Sequence, residues 1–286
     1  MNTPDAIFQV QQPLNGNGET KSLEQFNRSL HFGQFTPRFS MQYLSSHNQL
    51  FYASVSKGYK AGGFNVSFLN NDDYLYSPEY NWNYEIGTKL SFLNNRLSAD
   101  LSLFYIDWRN QQITNTIPTV GNVIRNAGRS RNKGIEASFQ ARPTKSWMMY
   151  MNYGYTDARF VHYQKEERGI LKDYEGNYLP MVPRHTFSLT TGYSFYDICS
   201  WIDRLTLNAG VSVTGPIYWY EDNQAKQSPY ALVNLRISIN KGCFTWEAWS
   251  KNLTNTDYLS YYFVTSKAYA QKGKPITLGT SVSISL

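Results

Sequence analysis

Period-two alternation of apolar and polar residues recurs along most of the chain, the spacing that puts one set of side chains on each face of a β-strand. It is plainest in PITLGTSVSISL, where Ile276, Leu278, Val282, Ile284 and Leu286 alternate with Thr277, Gly279, Ser281, Ser283 and Ser285. YALVNLRISI sets Ala231, Val233, Leu235, Ile237 and Ile239 against Asn234, Arg236 and Ser238. RLTLNAGVSV sets Leu205, Leu207, Ala209, Val211 and Val213 against Thr206, Asn208, Gly210 and Ser212. TPRFSMQYL, LFYASVSKGY, NYEIGTKLSF, RLSADLSLFYIDW, KGIEASFQAR, WMMYMNYGYT, TFSLTTGYSF and CFTWEAWSKN follow the same rule. The pattern predicts about eleven strands, many of roughly ten residues, long for a soluble sandwich and the right length for a tilted membrane crossing.

The connections alternate in length. Short turns are predicted near residues 45–49, 93–95, 142–146, 196–203 and 240–242, and long loops near 57–80, 109–123, 157–185, 215–229 and 252–274. If the last strand ends in the periplasm, every short turn falls on that side. This is how outer-membrane barrels divide periplasm from exterior, whereas sandwiches and propellers have no reason to sort loops by length. The expected fold is therefore all-β, an antiparallel transmembrane β-barrel over residues 36–286. Residues 1–35 read as an upstream loop or partial strand, poorly ordered, in which NGNGET leaves a further polar strand open. An odd strand number and an open edge leave backbone groups unpaired in lipid, so further strands are expected to complete the barrel.

Composition agrees. The 286 residues are 41% hydrophobic and 17% charged, which disfavours disorder, and 16% aromatic, with 23 Tyr, 16 Phe and 7 Trp. Aromatic-rich yet polar overall is the signature of a wall whose alternate residues face lipid and whose rings collect at the two interfaces. A Tyr-rich soluble sandwich shares that composition, which is why the loop asymmetry matters more. No run approaches the roughly 18 apolar residues of a spanning helix. The opening MNTPDAIFQV has neither a basic nor an apolar leader region, so an exported chain is expected to have sequence upstream of it. The net charge of +6 is dispersed, with no basic tract for nucleic acid. It adds at most a bias toward anionic ligands or lipopolysaccharide.

Candidate chemistry is sparse. Glu85, Lys89, Asp100, Glu136, Arg236 and Glu247 fall on the polar faces of their strands; charge in lipid is costly, so they are expected to face the lumen or a plug within it. The Gly-rich SKGYKAGGFN, with Gly58, Gly62 and Gly63, lacks the context of a phosphate loop and reads as a rim turn requiring positive φ. Beside it Lys57, Tyr59 and Lys60 are candidate contacts for an anionic ligand, or for lipopolysaccharide. Glu166 and Glu167 read as a solvated charge pair. His31, His47, His162 and His185 show no metal-ligand spacing, and no Ser elbow is present, so no catalytic residue, metal or cofactor is expected. Cys199 and Cys243 lack CxxC spacing and are expected to be unpaired, half-buried thiols. Aromatic clusters at Tyr74 and Tyr76, at Tyr218, Trp219 and Tyr220, and at Tyr258, Tyr261, Tyr262 and Phe263 lie where strands meet long loops. Most suit an interfacial girdle; those pointing inward, with Trp219, Tyr220 and Tyr261 the leading candidates, suit stacking on an aromatic ligand such as a catecholate siderophore.

Several stretches in order resemble the C-terminal barrel of TonB-dependent receptors: FTPRFSMQYL leading into LFYASVSKGYKAGGFN, then SPEYNWNYEIGTK with Pro78, Glu79, Tyr84, Glu85, Gly87 and Lys89, then NAGRSRNKGIEAS with Asn126, Gly128, Gly134 and Glu136. VPRHTFSL, KNLTNTDY and the final strand after Gly273 and Pro275 continue the series, so the resemblance runs from about Gln34 to the end. It implies the C-terminal half, about eleven strands, of a 22-stranded barrel that houses an N-terminal plug. The plug and the TonB-contacting box lie outside these residues. Such barrels usually end in Phe, and Leu286 is a departure.

The resemblance implies a bacterial outer-membrane receptor for TonB-energised uptake of a scarce ligand, chiefly a ferric siderophore. Its partners would be outer-membrane lipid, lipopolysaccharide, the plug with the remaining strands, and TonB through the N-terminal part. Two other classes stay open on the residues alone. One is a passive porin-like channel or a truncated, non-functional receptor. The other is a soluble β-rich binding module, which would stay dispersed without detergent, whereas an exposed apolar band would aggregate.

Overall fold

A computed structural model describes residues 6–9, 25–28, 30–47, 49–66, 68, 73–117, 120–126, 128–167, 170–264 and 267–285. Leu286, most of residues 1–29 and the side chains of Glu166 and Glu167 lie outside what it describes, and with them most of the expectation for residues 1–35. Eleven antiparallel strands form one sheet. They are β1 (Arg38–Leu44), β2 (Leu50–Lys60), β3 (Glu79–Phe92), β4 (Leu97–Arg109), β5 (Arg129–Ala141) and β6 (Trp147–His162). They continue as β7 (His185–Cys199), β8 (Ile202–Thr214), β9 (Tyr230–Lys241), β10 (Phe244–Lys251) and β11 (Thr277–Ile284). Each strand pairs with its neighbours in sequence, so the sheet is a continuous meander with β1 and β11 at its edges. All eleven alternating segments became strands. Ala6–Gln9 and Gln25–Arg28 form a separate two-stranded ribbon.

The register carries one face through the whole sheet. Gln42, Tyr52, Gly87, Ser102, Glu136, Gly154, Thr186, Thr214 and Tyr230 are successive cross-strand partners, and so share a face. Lys89 and Asp100 are partners on it, and Glu85 lies opposite Ser54. Arg236 lies opposite Asn208, and Glu247 opposite Ser238. The six charged residues picked out by alternation thus lie on a single polar face.

The other face is an exposed band of Phe39, Met41, Ile86, Leu101, Leu103, Phe139, Tyr193, Phe195, Leu207, Leu235, Ile237, Trp246 and Val282. Water would drive such a surface to aggregate. Against hydrocarbon it is the solvated state, and each interior strand is laddered to a neighbour on both sides. On the polar face side chains satisfy one another. Tyr52 lies across Gly87, where an added Cβ would come within 2.5 Å of its hydroxyl, and the phenol donates to Glu85 at 2.7 Å. Arg236 lies 3.8 Å from Glu247, which accepts from Ser238 at 2.8 Å.

The short turns gather at one end and the long connections at the other, as alternation of length predicts. Each long connection, however, holds a two-stranded ribbon of its own. These pair Gly63–Phe64 with Leu75–Tyr76, Gln112–Ile117 with Gly121–Asn126, and Gln164–Glu167 with Ile170–Asp173. Ile217–Tyr218 pairs with Lys226–Gln227, and Leu259–Val264 with Ala268–Lys272. Two expectations need correction. Cys199 and Cys243 are exposed, not half-buried, because both sit where strands run out into turns. Gly58, Gly62 and Gly63 do not take positive φ. Glycine is required at residue 62 by close approach, since a Cβ there would lie 2.4 Å from the Tyr76 carbonyl.

The two faces predict opposite responses to the same charge. Leu207→Arg, mid-strand on the apolar face, is expected to cost about 2–4 kcal/mol of stability in a bilayer, while Ser212→Arg on the polar face leaves it nearly unchanged. Urea titration of the membrane-folded protein measures both, and equal losses would contradict the assignment of faces.

Candidate functional site

The long loops interlock, which turns five separate connections into one surface. Asn65, 4% exposed, joins the loop after β2 to the loop after β4. Its amide donates to the carbonyls of Asp73 and Ile124, both at 2.7 Å, and accepts from the Ile124 N–H at 2.8 Å. Arg125 grips Asp73 through two nitrogens at 2.6 and 2.5 Å, the bidentate geometry that makes such pairs strong, and the Asp73 carboxylate raises the guanidinium pKa further. Asn126 accepts from Ser77 N–H at 2.7 Å and donates to its carbonyl at 2.9 Å.

The loop after β6 has its own small core of Ala158, Phe160, Tyr163, Tyr174 and Leu179, onto which Ile113 from the preceding loop packs. It joins the loop after β8 through Asn223, whose side chain bonds both the N–H and the C=O of Tyr178 at 2.7 and 2.9 Å. Tyr178 stacks on Tyr218 at 5.5 Å, and the Arg159 and Arg184 guanidinium groups lie 4.0 and 4.9 Å from its ring centre. At the base of the last loop, Asn252 clasps Thr256 and Lys274 through side-chain bonds of 2.8–3.0 Å. That hub stands within the KNLTN stretch, whose alternation gives no sign of it; its left-handed φ of 49° is one that Asn tolerates better than most residues with a side chain.

Trp219, Tyr220 and Tyr261, distant in sequence, come together. The Trp219 indole meets Tyr261 edge-on at 6.3 Å and Tyr262 at 6.5 Å, and Tyr220 meets Tyr262 at 6.2 Å. The series extends through Phe263, 5.7 Å from Tyr261, to Tyr269 at 5.1 Å. Burial divides the cluster. Trp219 is 5% exposed and acts as its floor, whereas Tyr261 is 42% and Tyr269 47% exposed and present open ring surface. The Tyr220 hydroxyl accepts from Val264 N–H at 2.5 Å, tying the two loops together. Burial pushes its phenol above the ordinary tyrosine value, with the bond from Val264 acting the other way.

The remaining candidates separate. Lys57 and Tyr59 belong to the outward, apolar set of β2, with the Lys57 ammonium 5.4 Å from the Tyr80 ring centre. Lys60 belongs to the inward set, opposite Glu79. His185 pairs with the Tyr153 hydroxyl at 3.0 Å and lies opposite Tyr155, seven positions along β6 from His162. Among the described residues no three His, Cys, Asp or Glu side chains gather as a metal site.

A meandering sheet with one apolar and one polar face, short turns at one end and interlocked hairpin loops at the other is the wall of a bacterial outer-membrane β-barrel. The chain belongs to the family described as TonB dependent receptor-like, beta-barrel, which it matches over residues 10–255. It is 26% identical over 241 residues to the probable TonB-dependent siderophore receptor PiuA of Acinetobacter baumannii, covering 78% of this chain and 30% of that protein. It is also 26% identical over 262 residues to the pesticin receptor of Yersinia pestis, covering 88% and 36%. The crystal structure of the ferric yersiniabactin uptake receptor FyuA from Yersinia pestis superposes with a TM-score of 0.73 at 23% identity, over 86% of this chain and 36% of that one. The chain therefore spans about a third of the length of these relatives. The family consists of receptors and transporters, not enzymes.

Tyr220→Phe removes the acceptor of the Val264 N–H. Hydrogen exchange at Val264 is expected to quicken roughly three- to tenfold, the worth of one hydrogen bond of about 0.5–1.5 kcal/mol, with the sheet amides unaffected. Unchanged exchange at Val264 would show that the bond does not hold the loops together.

Proposed function

We propose that this chain supplies the C-terminal part of the barrel and about five extracellular loops of an outer-membrane receptor that captures a ferric siderophore and imports it with energy from TonB. The convergence of Trp219, Tyr220 and Tyr261 from two loops into one aromatic cluster carries the reading. Tyr261, Phe263 and Tyr269 offer ring faces to an aromatic or amphipathic chelate, and Trp219 supports them from below. Lys60, on the inward set, supplies positive charge for an anionic complex. Lys57 and Tyr59 face the lipopolysaccharide boundary instead.

The polar face, with Glu85, Lys89, Asp100, Glu136, Arg236 and Glu247, lines the lumen and contacts the plug. Charge at that depth has no other inexpensive location. TonB would act through the plug, away from the residues described here. The names of the relatives support the siderophore class, and none of them fixes which siderophore is bound.

The test is binding of radiolabelled iron, complexed with catecholate, hydroxamate and mixed siderophores, to outer membranes from cells expressing the protein. At least one complex is expected to bind saturably. Tyr261→Ala is expected to weaken it roughly five- to tenfold, the worth of about 1 kcal/mol of aromatic contact, with surface display unchanged. Absence of binding to every complex, together with steady ion conductance in planar bilayers, would replace the receptor with a passive channel.

A further inference from the structure

At the opposite end of the wall, the turns joining β3 to β4 and β5 to β6 lie side by side, the Arg142 N–H donating to the Arg96 carbonyl at 2.7 Å. Between them is an open cavity of about 550 Å³ lined by Leu93, Asn94, Arg96, Leu97, Ala141 and Pro143. Leu97 and Ala141 are cross-strand partners of the apolar set, and their inward neighbours Ser98 and Gln140 take no part in the lining. The cavity therefore opens on the membrane face, at the periplasmic boundary marked by the short turns.

Its backbone is held under strain. Leu93, Asn94 and Asn95 are consecutively left-handed, with φ of 54°, 56° and 65°, a conformation unfavourable for a leucine. The result is a Leu93 side chain that is 72% exposed beside the cavity. Strain of this kind persists where the surroundings or a function maintain it.

Arg96 lines the cavity, and Arg142 and Lys145 belong to the adjoining turn, so three cationic residues stand at this corner. Among the described residues none has an ion-pair partner, whereas Lys241 two turns along is paired with Asp203 at 2.7 Å. A groove that is apolar on its membrane side and cationic at its water boundary has the polarity of one lipid molecule: acyl chain below, phosphate above. We propose that this corner is a binding site for an anionic glycerophospholipid of the periplasmic leaflet. Its acyl chain would lie against Leu93, Leu97 and Pro143, and its phosphate would be held by Arg96, Arg142 and Lys145. Basic pockets at a membrane boundary recognise anionic headgroups in this way. The inference is independent of which ligand the loops capture.

The test uses the protein extracted from outer membranes in mild detergent, stripped of lipid and titrated with dioleoylphosphatidylglycerol, with bound lipid counted by native mass spectrometry. One tightly held lipid per protein is expected. The triple variant Arg96→Gln, Arg142→Gln, Lys145→Gln should weaken it roughly a hundredfold, about fivefold for each cation removed near an anionic headgroup. Lys241→Gln should leave it bound. Leu93→Gly relieves the left-handed backbone and keeps the barrel folded, checked by heat-modifiable gel migration, yet should lower lipid retention. The proposal is overturned if the triple variant holds the lipid as tightly as the parent, if Lys241→Gln releases it equally, or if Leu93→Gly retains it in full. It is overturned as well if inorganic phosphate or lipid A occupies the corner in preference to the phospholipid.

Discussion

Hydrocarbon offers no hydrogen bonds, so a backbone crossing it must satisfy its own N–H and C=O groups or bear several kcal/mol for each one left bare. Each interior strand of this sheet meets that demand through ladders on both sides, and most other features follow. Pairing in register forces alternate side chains onto opposite faces. One face then meets lipid and must be apolar; the other takes whatever polarity the chain carries. Glu85, Lys89 and Asp100 cost little on β3 and β4 because Leu101 and Leu103, one residue out of phase, bear the contact with lipid. Among the described residues β1 and β11 form the two edges of the sheet, the positions where the same demand calls for a further strand.

The periodic parts of the molecule are legible in the sequence. Residues 233–239 announce β9 because their alternation is uninterrupted, and the six charged residues of the polar face follow from phase alone. Strand ends were harder to read. β6 runs on to His162 although Asp157 and Arg159 interrupt the apolar set, because above the membrane boundary the outward face meets water and tolerates charge. The loop ribbons left no mark, since a two-residue strand such as Ile217–Tyr218 is too short to show a period. Trp219 and Tyr261 stand out in the sequence only singly, by their chemistry. That they meet, and that Trp219 lies beneath while Tyr261 lies open, depends on the long-range arrangement of two loops, which no local pattern encodes. Glycine at 62 and 63 meets a demand for space beside Tyr76, which a Gly-rich stretch does not distinguish from a demand for backbone freedom.

The two ends of the wall are built on different physical terms. The periplasmic turns are minimal, fixed by strand register and a few left-handed residues. The extracellular loops are held by side chains that bond to backbone: Asn65 to Asp73 and Ile124, Asn223 to Tyr178, Asn252 to Thr256 and Lys274. Satisfied amides of this kind, buried at Asn65 and Asn252 and half-buried at Asn223, stiffen a surface without a large apolar core. Among the described residues the loops' clustered apolar core is the five residues around Phe160, with Ile113 and Val182 packed against them.

Because those asparagines read peptide groups and not side chains, their grip is indifferent to what the ribbon tips are made of. The tips can therefore change composition, aromatic to basic or short to long, while the clasps beneath them and the register of the wall stay as they are. The architecture separates the part of the protein that must obey the membrane from the part that is free to follow a changing chemical environment. Under the proposed function, a lineage could acquire a taste for a new ligand by rewriting a few exposed residues, with the folding problem already solved below.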